Sequence, residues 1–362
     1  MKKFRVIALI LCLAVCIGMM ASCGKTETAM EYHGKKISGN MYSYWLSQIK
    51  SSYVSSENDN DAYWDTKYSN GQTYEDKLRQ IVDYNVKVNV VCSYLFDQLG
   101  LKLTAEEKKE INTAIDDLVS AYGSKSALNK ALSAYDINYD ILKDIYTVEL
   151  KVTKVYDALY AEGGAREITD EILERYYLDN YARIDFIMIY DEMVYVRDEN
   201  GKLVFDDEAN AYKKQELTDE ETAKKNALAD DIMKKLENGE NFDELKASYN
   251  EDPQADVYKD GYFISSNDIN VFGAEIVLAS QEMKIGEVKK YDDGNIIYIM
   301  KRKELTDKPY ASEYYLDMFE YIVDYCEQDD FSDYMNSLID DVKVKEDITS
   351  NYSVRKAKLM NY

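Results

Sequence analysis

The chain has 362 residues, 44 Lys+Arg against 68 Asp+Glu for a net charge of −24, and a single histidine, His33. One histidine excludes a zincin pair and confines any Ser-His-Asp triad or catalytic zinc site to chemistry routed through His33, and so negative a surface repels phosphate backbones and anionic headgroups. With 46% hydrophobic and 31% charged residues the chain can bury a core, and two prolines where average usage gives about 18 point to long uninterrupted elements, mostly helices, in two or three domains.

In chain order, Lys2, Lys3 and Arg5 precede an apolar run over residues 6–21 that is short for a spanning helix and ends in Met20-Ala21-Ser22-Cys23. This segment resembles the signal and lipobox of bacterial lipoproteins, with Met at the first lipobox position in place of the usual Leu. The resemblance implies a signal peptide over 1–22, lipidation of Cys23, and two acyl chains, at about 0.8 kcal/mol per buried methylene, holding the protein on the outer side of a cell membrane. Cys12 and Cys16 leave with the signal. Cys92 and Cys326 then remain in helical patterns near aromatic residues, as free buried thiols or, alternatively, as a disulfide.

Residues 38–54 place Met41, Trp45, Leu46 and Ile49 at helical spacing, and a second helix over 74–99 is closed by Gly100. A third opens on the capping box Thr104/Glu107 and stops near Gly123. Short helices over 127–135, a long one over 139–159 and another over 169–177 follow. At Tyr181 the texture changes. Residues 183–189 form a short buried-strand pattern, residues 194–196 and 203–205 flank the hairpin-turn pair Asn200-Gly201, and a helix capped by Thr218 and Glu221 runs to Gly239. Helical pieces over 242–249 and 271–280, a strand over 295–301, and a helical return after Pro309 complete the pattern. The expected fold class is α+β: a mostly helical domain interrupted by a mixed α/β one of ordinary domain size.

The interrupting segment resembles a parvulin-type peptidyl-prolyl isomerase domain. The similarity rests on the opening strand, then Leu236, Gly239, Phe242 and Leu245 in the spacing L-x-x-G-x-x-F-x-x-L. Glu251-Asp252-Pro253, Asp260-Gly261-Tyr262-Phe263, Ile285-Gly286-Glu287-Val288 and Asp293-Gly294-Asn295-Ile296-Ile297 follow in order. Residues 32–38 followed by helices, with a C-terminal helix, resemble the chaperone module of PrsA/SurA-type extracytoplasmic foldases, so the similarity covers nearly all of the chain after the signal. It implies a helical chaperone domain over 23–180, a parvulin-like domain with an inserted hairpin over 181–305, and a C-terminal helical segment over 306–362 packing on the N-terminal domain.

The family's chemistry is rotation about an X-Pro amide, a barrier of about 18–20 kcal/mol that an apolar, water-free pocket lowers by weakening amide resonance. The resemblance places Phe263, Phe272 and Ile276 in the substrate pocket, with Phe272 and Ile276 on one helix face; as plain periodicity the three are core residues. It also implies histidines where this chain has Phe186, in the first strand, and Asn295, in the last, with Asp252 as the remaining polar group. A phenyl ring cannot hydrogen-bond and an amide keeps at most one side of such a network. Prolyl isomerisation is therefore expected to be weak or lost, while client binding remains. His33, before Gly34, is expected as a turn residue.

The expectation is a lipid-anchored extracytoplasmic folding factor whose partners are unfolded or newly secreted polypeptides, with a homodimer as a further candidate and no nucleic acid. An active isomerase working by desolvation, and a solute-binding or adhesive surface lipoprotein, are the alternatives. The 34 tyrosines offer apolar bodies with polar tips, or simply replace Phe, which numbers nine. Asp59-Asn60-Asp61 and Asp198-Glu199-Asn200-Gly201 do not complete a calcium loop, so no metal and no cofactor is expected.

Overall fold

The structure, a computed structural model, describes residues 27–206 and 209–360. The expected signal peptide and Cys23 lie outside the described residues. The described residues form two compact units, one of residues 27–167 with 327–360 and one within residues 168–326.

The first unit is mostly helical. Its opening strands Thr28–Tyr32 and Lys35–Ser38 are joined by the two-residue turn His33-Gly34, with φ of 44° and 83°. Positive φ at both positions is what a type I′ hairpin requires, and Gly accepts it without strain. His33 is a turn residue, its ring stacked on Tyr94 at 4.8 Å. Ser38 caps the helix Gly39–Tyr53, Thr73/Asp76 box the helix Tyr74–Gln98, and Thr104/Glu107 box Ala105–Ala121; each side chain satisfies an amide the first turn leaves open. Val82, Val86 and Val90, four residues apart on the long helix, are fully buried, and Trp45, Leu46, Ile115 and Ile145 are buried in the same unit.

Residues from 327 onward belong to this helical unit. The strand Lys343–Val344 pairs with Thr28–Tyr32, and three cations hold the tail behind it. Arg79 donates to the carbonyls of Thr349 and Tyr352, and Arg355 meets Asp61, Asp65 and Glu75. Lys50, 0% exposed, pairs with Asp59 at 2.7 Å and donates to the Ala357 carbonyl at 2.9 Å. Gly39 is required where the tail crosses, since a Cβ there would meet the Tyr352 hydroxyl at 2.6 Å. Cys92 is a buried thiol in this unit and Cys326 a buried thiol in the other.

The second unit is built on a four-stranded antiparallel sheet in the order Tyr262–Ile264, Ala182–Tyr190, Ile296–Lys303, Val288–Asp292. Within Ala182–Tyr190 the stretch from Phe186 to Ile189 is an unbroken apolar run because both faces are covered. Ile187 and Ile189, with Ile297 and Ile299 across the ladder, face the helices Asp219–Glu237 and Phe242–Tyr249. Ile184, Phe186 and Met188, with Tyr298 and Met300, point the other way, toward the helix Ala274–Glu282.

Three details differ from the sequence expectation. The helix expected over 271–280 is two, Ile269–Phe272 and Ala274–Glu282, broken at Gly273 with φ of 79°. The Asn200-Gly201 turn closes only the single bridge Arg197/Leu203; the partner of Met193–Tyr195 is Lys214–Glu216, and Phe205–Asp206 pairs with Ala211–Tyr212. The compact unit is also wider than 181–305. Tyr177 and Tyr181 from its leading helix, Phe263 from the sheet and Phe319 and Ile322 from its trailing segment form one buried cluster.

Candidate functional site

The face of the sheet that carries Phe186 is an aromatic tray. The Phe186 ring is 1% exposed, stacked on Phe272 at 5.8 Å and met by Tyr262 at 5.3 Å and Tyr298 at 5.5 Å. Phe272 closes the ring set by an edge contact to Tyr262 at 5.5 Å. Offset and edge-on rings at these separations gain from both burial and quadrupole fit. Phe272, Tyr262 and Tyr190 are half-buried, so the tray keeps an open side.

Its polar groups are positioned by the loop 250–252, which seals part of the sheet edge. Tyr262–Ile264 pairs only with residues 182–184, so the amides further along the central strand need other acceptors. Asn250 Oδ1 accepts from the Met188 amide at 2.8 Å, Glu251 Oε2 accepts from the Tyr190 amide at 2.8 Å, and the Glu251 amide donates to the Met188 carbonyl at 2.9 Å. This brings Asp252 to the tray, where its Oδ2 accepts from the Tyr262 hydroxyl at 2.7 Å. Gly261 lets the turn into that strand pass the sheet, because a Cβ there would meet the Ile184 carbonyl at 2.6 Å and φ is 92°.

Burial, reinforced by the Asp252 hydrogen bond, holds the Tyr262 hydroxyl well above the usual tyrosine pKa. Burial, then Asp293 and Asp252, push Tyr298 up to about 12, and burial with Tyr195 and Asp252 raises Tyr190. At neutral pH all three are therefore neutral hydroxyls, and the Tyr262 hydroxyl already donates to Asp252. The arrangement offers an apolar floor with tyrosine hydroxyls and the Asp252 carboxylate beside it.

Of the residues singled out in the sequence, Phe186, Phe272, Ile276 and Asp252 come together. Phe272 and Ile276 reach one cluster from separate helices, since Gly273 breaks the single helix face expected for them. Phe263 does not join them. It lies opposite Arg183 in the ladder, and because side chains alternate along a strand it points to the other face, packing on Tyr177, Tyr315 and Phe319. Its neighbour Tyr262 takes the tray position instead. Asn295 is likewise outside: it is exposed in the turn before the last strand, which starts at Ile296. Tyr298, in phase with Met300 opposite Phe186, occupies the tray on that strand. Register is the signal that would have found both tyrosines.

A second hollow, of about 450 Å³, lies beside the helices on the opposite face, with Leu236, Phe242 and Val288 as its floor and Glu237, Glu240 and Asp243 at its rim. Among the described residues no three His, Cys, Asp or Glu side chains are placed to hold a metal ion, and no helix is long and apolar enough to cross a membrane.

No family model and no curated protein matches this chain. Solved structures do. The PrsA structure from Bacillus subtilis is 18% identical, with 81% of this chain and 92% of that one covered and a TM-score of 0.22. The peptidylprolyl isomerase (PrsA) of Bacillus cereus is 19% identical over 79% of this chain and 90% of its own, with a TM-score of 0.28. The foldase protein (PrsA) of Lactococcus lactis is 14% identical over 91% and 100%, with a TM-score of 0.23. The chain is similar to PrsA foldase structures across most of its length.

Proposed function

We propose that this chain is a lipid-anchored extracytoplasmic folding factor that binds unfolded secreted polypeptides, and that its sheet unit receives their apolar segments, prolines included, with prolyl isomerisation weak or lost. The observation that carries this reading is the Phe186 tray: an aromatic surface with one open side, built where the sequence resembles a proline-gripping pocket, with a non-polar ring at its centre. Phe186, 1% exposed, is the floor beneath the half-buried Phe272 and Tyr262 rings that an apolar group would meet, and a phenyl ring cannot polarise an amide. The lipid anchor rests on the Met20-Ala21-Ser22-Cys23 segment.

Aggregation of an unfolded client and cis-trans relaxation of a proline peptide, measured on one preparation, test the proposal. Suppressed aggregation with relaxation near the uncatalysed rate is the expected result. Strong acceleration that Phe272→Ala abolishes would overturn the loss of catalysis. Asp252, held at the tray by the Tyr262 hydroxyl, favours that second reading, a desolvating isomerase with Asp252 as its polar group; Tyr262→Phe would then slow it.

A further inference from the structure

The insertion over residues 190–217 continues the tray as a row of rings. Tyr190, beside Tyr262 and Tyr298 on the tray, meets Tyr195 edge-on at 5.4 Å; Tyr195 meets Tyr212 at 6.4 Å; Tyr212 meets Phe205 at 5.4 Å. The last two leave a pair of short strands half in water, Phe205 46% and Tyr212 49% exposed. A small antiparallel extension gains little by leaving two large rings so open, and a contiguous exposed row of this kind is the mark of a contact surface.

Charge narrows the occupant. Asp252 is half-buried beside the tray, and Asp292 and Asp293 are exposed at the adjoining turn; among the described residues none of the three is in an ion pair. The row itself already holds a cation, with the Lys214 ammonium 5.1 Å from the Tyr195 ring centre, an attraction that tyrosine faces offer to any Lys or Arg. The whole chain, at −24, adds to the same selection.

We infer that the inserted hairpin is a docking arm: Phe205, Tyr212 and Tyr195 bind an extended polypeptide segment bearing Lys or Arg, and lead its neighbouring apolar residue onto the Phe186 tray, whose carboxylate rim takes the cation. This deepens the proposed client binding and rests on it. The arm supplies affinity through ring contacts, and Asp252, Asp292 and Asp293 supply preference for basic over acidic clients.

The test uses the full chain and two fluorescent twelve-residue peptides with one Phe-Pro pair in an Ala/Ser background, flanked by Lys in one and Glu in the other. The Lys peptide is expected to bind at least about tenfold tighter, with a preference that shrinks as salt screens it. Phe205→Ser with Tyr212→Ser should weaken both peptides about tenfold. Asp292→Asn with Asp293→Asn keeps the turn's side-chain acceptors and should bring the two affinities together. Unchanged circular dichroism and melting midpoint check that each variant is folded. Equal binding of both peptides by the parent chain overturns the carboxylate rim and the basic occupant, and undiminished binding by the arm variant while Phe272→Ala loses it overturns the arm and leaves the tray standing. Absence of binding by either peptide overturns the arm and the client-binding reading together.

Discussion

Asp191 ends the central strand in a conflict that can be measured. The residue is 6% exposed; its amide donates to the Asn295 carbonyl at 3.1 Å and its carbonyl accepts from the Thr222 hydroxyl at 2.6 Å. Its carboxylate fares worse. Oδ2 has only a long bond from Asn226, 3.4 Å, and Oδ1 has none. Burial first, then the charges of Asp292 and Asp293, raise its pKa above the usual carboxylate value, with Asn226 opposing. In the unfolded chain the group releases its proton near pH 4, earlier than in the folded one, so over that window the folded state binds more protons and stability falls as pH rises. Asp191→Asn should therefore stabilise the chain by about 1 kcal/mol at pH 8, kept small by solvent screening at the turn, and by less toward pH 4. Urea unfolding at the two pH values checks this; an equal gain at both would refute the electrostatic account. The same residue scale sets what the sequence could reveal of the tray. Phe186 stands inside a recognisable apolar run, whereas Tyr262 and Tyr298 become tray residues only through strand register, and a one-residue shift exchanges Tyr262 with Phe263.

At the scale of elements, helices were the legible part because their ends are written locally. Thr104 and Thr218 each cap the helix expected of them. The strands of the insertion were not legible, since Val194 chooses Gln215 over the nearer residues across Asn200-Gly201, a preference that depends on the whole ribbon. A C-terminal segment over 306–362 was expected to pack on the N-terminal domain, but nothing in the sequence of the tail beyond residue 343 names its partners. Those partners are cations that donate to the tail's carbonyls, the buried Lys50 foremost and Arg79 beside it. Removing one member of a buried ion pair leaves the other charge without compensation. Lys50→Met, which keeps the stem's length and loses the ammonium, should cost the helical unit about 3 kcal/mol and expose residues 345–360 to proteolysis. Rapid cleavage in the tail with the rest of the unit intact is the expected pattern, and an unchanged unfolding midpoint would contradict it.

For the molecule as a whole, the order of helical, mixed and helical segments was legible from texture, whereas the place where one unit gives way to the other was not. Composition changes at Tyr181, yet the core of the second unit begins earlier and ends later. Tyr177 packs on Phe263, Tyr310 and Phe319, and Tyr181 on Phe319. Tyr177 also donates to the Thr306 carbonyl at 3.1 Å. The leading helix Asp170–Asn180 and the trailing residues to Ile322 thus close one aromatic cluster under the sheet edge that carries Phe263. A fragment of residues 168–326, about 160 residues and large enough to bury a core of its own, contains every member of its three clusters and should fold alone with a single cooperative melt. A fragment cut at 181 and 305 retains the sheet but strips Tyr177, Phe319 and Ile322 from Phe263, leaving that ring exposed at a cost of several kcal/mol, since loss of a buried aromatic contact set resembles a large-to-small core substitution of about 3–5 kcal/mol. Circular dichroism melts of the two fragments decide between the boundaries. A sharp transition for the longer and a broad or absent one for the shorter is expected; equal midpoints would place the Phe263 cluster outside what holds this unit together.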